Sequence, residues 1–529
     1  MALTEGFAQT IGEELRRTAR EHPNVAAFHF HGRDYTYAEW ETYSRRFAGA
    51  LLARGLRPGD RLGLLLPPIP EYMFCYLGAA RIGVITAGIS TRYRRQEIGD
   101  ILANADPRLL IHVDGVGDVR FAPLIDEARR QPSSLADVVR FEGHGPDSLA
   151  ALLAQGDAAT VDLEMAEARV AAADPIAIVY TSGTTGRPKG AVYDSAAMVA
   201  ATRLLTTRLP SLPTPGSPNL WPGMSLTHVG VMVRVHVQLA FATTMVLHDR
   251  FDARWCLEQI VRLRPSSIGG FPPVLIMLIR APEFAGHDLS FIRSVNFGGA
   301  PLAPHLIEEL KRRLGAEVYT GYSCTETPII SATLPTDPPE RRTTTVGRPT
   351  PGIEVRIVDA QHARLPVGAA GCVAVRSPAT MRGYWRNPEA TARALDTDGW
   401  LYTEDTGFLD AEGYLHLLGR EKDMYFRAAF NVYPAEVEAV LQTHPGVAQA
   451  AVVGVPDDVL GQKGWAFVVP TDPAAPPTLE ELRAHVGREL ASYKRPDGLT
   501  LVATLPMNAM YKIDRRALLA RYIEDNATN

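Results

Sequence analysis

Hydrophobic and polar positions follow two rhythms along this chain. Short apolar blocks that stop abruptly read as buried strands, and longer runs with apolar residues three and four apart read as helices packed on them. Residues 62–66 (LGLLL) form such a block, stopped by Pro67 and Pro68. The segment that follows, EYMFCYLGAARIGV, has helical spacing and closes near Gly83. AIVYTS (177–182) predicts a strand running into a glycine- and threonine-rich loop. SVNFGGAP (294–301) repeats that strand-into-loop character before the helical run HLIEELKRRLG. Strands and helices that alternate in this way predict doubly wound α/β layers with sites at strand ends.

After about Thr345 the texture changes to short strands and turns: VGRPTPGIEVRIVD, GCVAVRS and GYLHLLGR predict a small antiparallel unit. A separate segment starts at Arg420, with strands in QAAVVGVP and GWAFVVP, a helix around LEELRAHVGREL and a proline-rich loop over 470–478. The expected fold class is α/β. A large N-terminal domain (1–419) combines doubly wound α/β layers with the antiparallel unit, and a small α+β C-terminal domain (420–529) follows.

Composition narrows the function classes. A chain of 529 residues exceeds one ordinary core. With 46% hydrophobic and 21% charged residues, it has the make-up of a soluble globular protein. The formal net charge of −5 and the lack of a long basic run argue against nucleic acid as a partner. Cys75, Cys256, Cys324 and Cys372 are scattered without CxxC spacing, so neither a zinc site nor a disulfide framework is indicated. The N-terminus is polar and helical in pattern and lacks the apolar core of a signal peptide. No apolar stretch approaches the ~18 residues a membrane helix needs. The expected setting is a reducing, cytoplasmic one and the expected partner is a small-molecule substrate; a homodimer is left open.

The strongest chemical signal is TSGTTGRPKG (181–190). Its glycines let backbone N–H groups approach an anion, and its hydroxyls and Lys189 add donors. The loop suits a polyphosphate, although the GxxxxGK[ST] spacing is absent. A solvated Ser/Thr/Gly linker is the bland alternative, but a linker has no reason to follow a buried-strand pattern and end in a lone lysine.

YTSGTTGRPKG resembles the phosphate loop of the adenylate-forming superfamily: acyl-CoA and aryl-CoA synthetases, peptide-synthetase adenylation domains and luciferases. On that likeness Thr181, Ser182, Gly183, Thr184, Thr185, Gly186 and Lys189 bind ATP phosphates. Further motifs follow in the family's order. FGGAP (297–301) is similar to the adenine-contacting loop, which brings in Gly299, Ala300 and Pro301. GYSCTE (321–326) resembles GYGxTE, implying that Tyr322 stacks on adenine, Thr325 holds the α-phosphate and Glu326 binds Mg2+. WLYTED (400–405) resembles WxxTGD, whose acid, here Asp405, grips the ribose hydroxyls. GREKDMYFRAAFNVYPAEVE (419–438) matches the hinge segment, with Arg420 reaching ribose or phosphate and Lys422 at the pivot of a mobile C-terminal domain. LPMNAMYKIDR (505–515) resembles LPxxxxGKIxR and makes Lys512 the catalytic lysine. The same alignment sets His228, Phe271, Gly298, Gly321, Ser323 and Cys324 around an acyl pocket. Their mix of one aromatic and several small residues allows a medium-chain, cyclic or aryl acid. Charge building on phosphoryl oxygens during attack on the α-phosphate calls for such cations, hydroxyls and a metal.

Departures from the family pattern bear on the acceptor. Glu404 and Ser323 stand where relatives carry glycine, Ala428 and Ala429 replace hinge glycine, and Tyr511 precedes the catalytic lysine. In relatives the hinge loop lines the pantetheine tunnel, where a Cβ narrows the channel. The leading expectation is a carboxylate–CoA ligase using ATP, Mg2+ and coenzyme A. A second keeps the adenylation and changes the acceptor to an amine, or activates nitrite as a diazotase does. A third, a scaffold keeping only the fold, is opposed by the retained Lys189, Thr325, Glu326, Asp405, Arg420 and Lys512. Arg234 and His236, in the apolar run VGVMVRVHVQL, read as a solvated or interface face, with contact to a polar group of the substrate as the alternative, and no paired charge is assigned for an acidic substrate.

Overall fold

The computed structural model describes residues 7–117, 119–129, 135, 137–158, 162–181, 188–209, 212–222, 225–284, 286–299, 304–420, 423–427, 430–457, 460–508 and 512–527. The block at 62–66 forms the strand Arg61–Leu65, central in a six-stranded sheet with Ile85–Gly88, Leu109–His112, Asp137–Arg140 and Pro175–Thr181 parallel to one another. The sixth strand, Lys189–Asp194, returns antiparallel along the edge. The inner strands Arg61–Leu65, Ile85–Gly88 and Leu109–His112 are almost wholly buried and largely apolar because helices such as Pro70–Ala80 cover the sheet.

A second sheet sets Ser267–Gly270, Ser294–Gly298 and Glu317–Cys324 in parallel, followed by the antiparallel strands Thr327–Ala332 and Arg348–Pro349. A smaller sheet joins Pro218–Leu220, Thr244–Leu247, Ala26–Phe30 and Arg33–Thr36. Local chemistry sets the helix starts. Thr36 and Glu39 form a capping box ahead of Tyr37–Ala53, as do Thr10 and Glu13 ahead of Ile11–Glu21, and Pro272 opens Pro272–Arg280.

The texture change after Thr345 corresponds to an antiparallel sheet of Glu354–Val358, Gly371–Arg376, Leu401–Leu409 and Leu415–Arg420. Beyond it, Val447–Asp457 and Gly461–Pro470 pair antiparallel, with Gly498–Leu501 parallel to the latter. Alternate residues of these strands serve two cores, as a pleat requires. Ala450, Val452, Ala466 and Val468 pack with Val437, Leu441, Leu482 and Val486 from the helices Pro434–Leu441 and Leu479–Glu489. Ala451, Val453, Val455 and Phe467 pack with Leu505 and with Leu518 of Arg515–Ala527. Among the described residues no helix is long and apolar enough to cross a membrane.

Candidate active site

One cleft of about 2770 Å3 is lined by Thr181, Lys189, His228, Phe271, Gly298, Gly299, Gly321, Tyr322, Ser323, Cys324, Thr325, Glu326, Asp405 and Lys512. Residues far apart in the chain thus share one wall system. The ladder between Pro175–Thr181 and Lys189–Asp194 sets Lys189 opposite Thr181. Lys189 Nζ lies 4.9 Å from the centre of the Tyr384 ring, and Tyr384 Oη donates a 2.7 Å hydrogen bond to Glu326 Oε1. Burial first, and then the Glu326 charge, push the Tyr384 phenol upward, so it stays protonated and donating. The turn Thr325–Glu326 is also pinned through its main chain. Tyr193 Oη donates to the Thr325 carbonyl at 2.5 Å, and the Met381 N–H donates to the Glu326 carbonyl at 2.8 Å.

Across the strand Glu317–Cys324, Tyr322 is buried and its Oη donates to Asp405 Oδ2 at 2.6 Å. The Asp405 N–H is held in turn by Thr403 Oγ1 at 3.2 Å. This links the residue expected under adenine to the acid expected at the ribose. Between them in the chain, Glu404 has φ of +60°, the left-handed region where an L side chain is strained.

The acyl-pocket candidates cluster where the second sheet ends. Gly298 and Gly321 are neighbours in register, and a Cβ on Gly298 would stand 3.0 Å from the Gly321 carbonyl oxygen. Gly299 has φ of +81°, and a Cβ there would meet Phe271 Cε1 at 2.7 Å. Phe271 packs edge-on against His228 with ring centres 5.5 Å apart. His228 caps the helix Val229–Phe241, its Nδ1 accepting the Gly230 N–H at 3.1 Å, which leaves the ring proton on Nε2. Burial, with a contribution from the Lys512 charge, draws its pKa down to about 4, so the imidazole is neutral at pH 7. Lys512 therefore approaches the pocket from the C-terminal segment. Its turn is closed by the Asn508 N–H donating to the Lys512 carbonyl (2.8 Å) and the Lys512 N–H donating to Asn508 Oδ1 (3.1 Å).

The reading of Arg234 and His236 as a solvated or interface face is corrected. Arg234 turns into the cleft and lies over Trp221, 3.3 Å from the ring centre. His236 is buried, with Nε2 3.3 Å from Tyr76 Oη. Ser182, Gly183, Thr184, Thr185, Gly186, Ala300, Pro301, Lys422, Ala428, Ala429 and Tyr511 lie outside the described residues. Arg420 is described through its backbone, paired with Asp405 in the ladder. Tyr384, Tyr193 and Arg208 line or brace the site and were not singled out from sequence. An aromatic pair in MRGYW was the one available signal for Tyr384.

Glu326 suits Mg2+. Oε1 is oriented by Tyr384, while Oε2 has no hydrogen bond among the described residues and belongs to a cleft-lining side chain. Mg2+ is commonly held by one or two carboxylates together with substrate phosphates.

The sequence matches the AMP-binding enzyme family over residues 15–385 and the AMP-binding enzyme C-terminal domain over residues 436–512. It is 32% identical over 533 residues to the fatty acid–[acyl-carrier-protein] ligase ScoC of Streptomyces coeruleorubidus, covering 98% of each chain. Identity to the long-chain-fatty-acid–CoA ligase FadD13 of Mycobacterium tuberculosis is 31% over 519 residues, covering 97% of this chain and 99% of the relative. The fold superposes on the amide bond synthetase McbA of Marinactinospora thermotolerans with a TM-score of 0.84 at 30% identity, over 97% of this chain and all (100%) of that one. The cleft, its ordered motifs and these likenesses agree: the chain belongs to the AMP-binding enzyme family and is an AMP-forming, adenylate-forming ligase.

Proposed function

We propose that this enzyme activates a carboxylic acid as its acyl-adenylate and passes the acyl group to coenzyme A. A carboxylate oxygen attacks the α-phosphorus of ATP, the bond to the bridging β-oxygen breaks, and pyrophosphate leaves. Lys189 and the loop before it hold the β- and γ-phosphates. Tyr322 and Asp405 fix adenosine, and Thr325 and Lys512 face the charge that builds on the α-phosphoryl oxygens. Glu326 would hold Mg2+, which would supply positive charge to the polyphosphate. Neutral His228 walls the acyl pocket without competing for the reacting carboxylate's partners. Holding both reactants in one cleft converts a two-body encounter into a positioned reaction.

The observation that carries this reading is the convergence of Lys189, Glu326, the Tyr322–Asp405 pair and Lys512 on one cleft from four separate stretches of chain. Rotation of the unit after residue 419 about Lys422 then exchanges the Lys512 turn for an acceptor tunnel, a hinge-type switch. We infer a cytoplasmic setting for the reaction; four cysteines without CxxC spacing support that reading.

Pyrophosphate exchange with a panel of acids tests the first step, and product analysis with CoA, an amine or nitrite added in turn tests the second. Lys512→Ala is expected to abolish exchange yet spare transfer from a supplied acyl-adenylate. Equal loss of both steps refutes the role given to Lys512. Relatives carrying acyl-carrier-protein, CoA and amide names make the acceptor the decisive product. Thioester formation far slower than pyrophosphate release would move the assignment to an amine or nitrite reaction.

A further inference from the structure

The wall of the cleft beyond the reacting carboxylate carries two arginines that the adenylation chemistry does not use. Arg208 follows the helix Ser195–Thr206, and Arg234 sits in Val229–Phe241. Arg208 Nε donates to Thr350 Oγ1 at 2.5 Å, while its Nη2 is buried without a hydrogen bond among the described residues. Arg234 lies over Trp221, whose ring fills the space a side chain at Gly269 would need. Neither guanidinium has a carboxylate partner among the described residues, unlike Arg280 on the same wall, which pairs with Glu309 at 2.8 Å. Among the described residues, those lining the cleft between Leu205 and Tyr322 include no aspartate or glutamate. Burial weakens the charged form of both arginines, and the Arg208 charge adds to this at Arg234. Two half-buried cations on one cleft wall, neither with a carboxylate partner among the described residues, call for an anion.

Their position says which anion. Successive side chains of a strand point to opposite faces. Along Glu317–Cys324, Tyr322 faces Asp405 on the nucleotide side, whereas a Cβ on Gly321 would lie 3.6 Å from Arg208 Nη1. Arg208 is therefore across the strand from adenosine, behind the glycine pair that borders the acyl pocket.

We propose that Arg208 and Arg234 form a receptor for a carboxylate at the far end of the molecule in the acyl pocket. The occupant is then an acid with a second negative charge or, if an amine shares the pocket with an activated oxyacid, an amine that itself bears a carboxylate. This rests on the adenylation reading. It replaces the expectation of a plain medium-chain, cyclic or aryl acid with an anion-tailed one.

The test compares pairs of equal shape. One arm measures pyrophosphate exchange with suberate against octanoate and terephthalate against 4-methylbenzoate. A second measures ATP-dependent consumption of 3-aminobenzoate against 3-methylaniline in the presence of nitrite. The anionic member is expected to lead by about tenfold or more in kcat/KM in one arm, which also identifies the source of the carboxylate. Arg234→Met and Arg208→Met are expected to erase that preference by reducing turnover of the anionic member alone. Arg208→Lys retains part of it, and ATP affinity stays unchanged in all three as a check on folding. Preference for the neutral member in both arms overturns the inference, as does equal loss of both members in the variants. Absence of nucleotide turnover with every acid and with nitrite overturns the adenylation reading itself, and this inference with it.

Discussion

Replacing Arg515 with alanine tests how the Lys512 turn is anchored. Arg515 lies three residues beyond that lysine, where the helix Arg515–Ala527 begins. Its Nη1 and Nη2 donate to the two Glu438 carboxylate oxygens at 2.5 and 3.0 Å, and Nη1 also donates to the Val452 carbonyl at 3.0 Å. Its Nε reaches Asp423 at 3.4 Å. Glu438 is 6% exposed, and its Oε1 also accepts the Val452 N–H at 2.7 Å. Burial works against the Arg515 charge, but Glu438 and Asp423 outweigh it and raise its pKa. Arg515→Ala strands the Glu438 charge in a dry site, at a cost of about 3–5 kcal/mol. At roughly 1.4 kcal/mol per factor of ten, amides of the strand Val447–Asp457 are expected to exchange with deuterium on the order of a hundred- to several-thousand-fold faster, while amides of Arg61–Leu65 are unaffected. Arg515→Met combined with Glu438→Gln removes both charges and keeps an acceptor for the Val452 N–H. It is expected to cost less than the single alanine change. An exchange increase of only a few-fold in Arg515→Ala, or a double variant as damaged as the sum of its singles, refutes the reasoning.

Three further outcomes are expected. Tyr384→Phe removes the donor that orients Glu326 and weakens Mg2+ about 10- to 100-fold; an unchanged Mg2+ dependence of pyrophosphate exchange rules that role out. Glu404→Gly relieves a left-handed L residue but adds chain entropy to the unfolded state, for a net gain of ~0.5 kcal/mol; a lower melting temperature contradicts it. His236 is held neutral by burial, its pKa drawn from 6.5 to about 3, so the unfolded chain binds the extra proton. Stability is full above pH 6.5 and falls as the pH drops from 6.5 towards 3, by up to roughly 1.4 kcal/mol per pH unit. His236→Gln flattens that slope in urea titrations at stepped pH, and an unaltered slope disproves the assignment.

The motif residues were legible because each motif is contiguous in the chain. Thr325 and Glu326 sit at one strand end, Asp405 in one strand and Lys512 in one tight turn, so local spacing carries them. Strand identities were legible for the same reason: the apolar run at 177–182 corresponds to Pro175–Thr181. The bracing and the charge of the pocket were not. Tyr384 is 58 residues from Glu326, and Arg208 is 142 residues from Thr350. Arg234 was misread because helical periodicity marks a polar position without distinguishing bulk water from an internal cleft. Only the tertiary placement of Trp221 settles which one it meets.

The pairing of Thr181 with Lys189 has a consequence for how this enzyme can diverge. The reach of the lysine is set by the sheet edge and not by the residues that join the two strands. Lengthening or trimming that connection leaves the ammonium aimed as before. A slip of the edge strand by a single position instead turns the lysine to the opposite face, where Tyr384 cannot meet it. Variation in that connection is therefore tolerated by the geometry of the cation, and a shift in the edge strand is not.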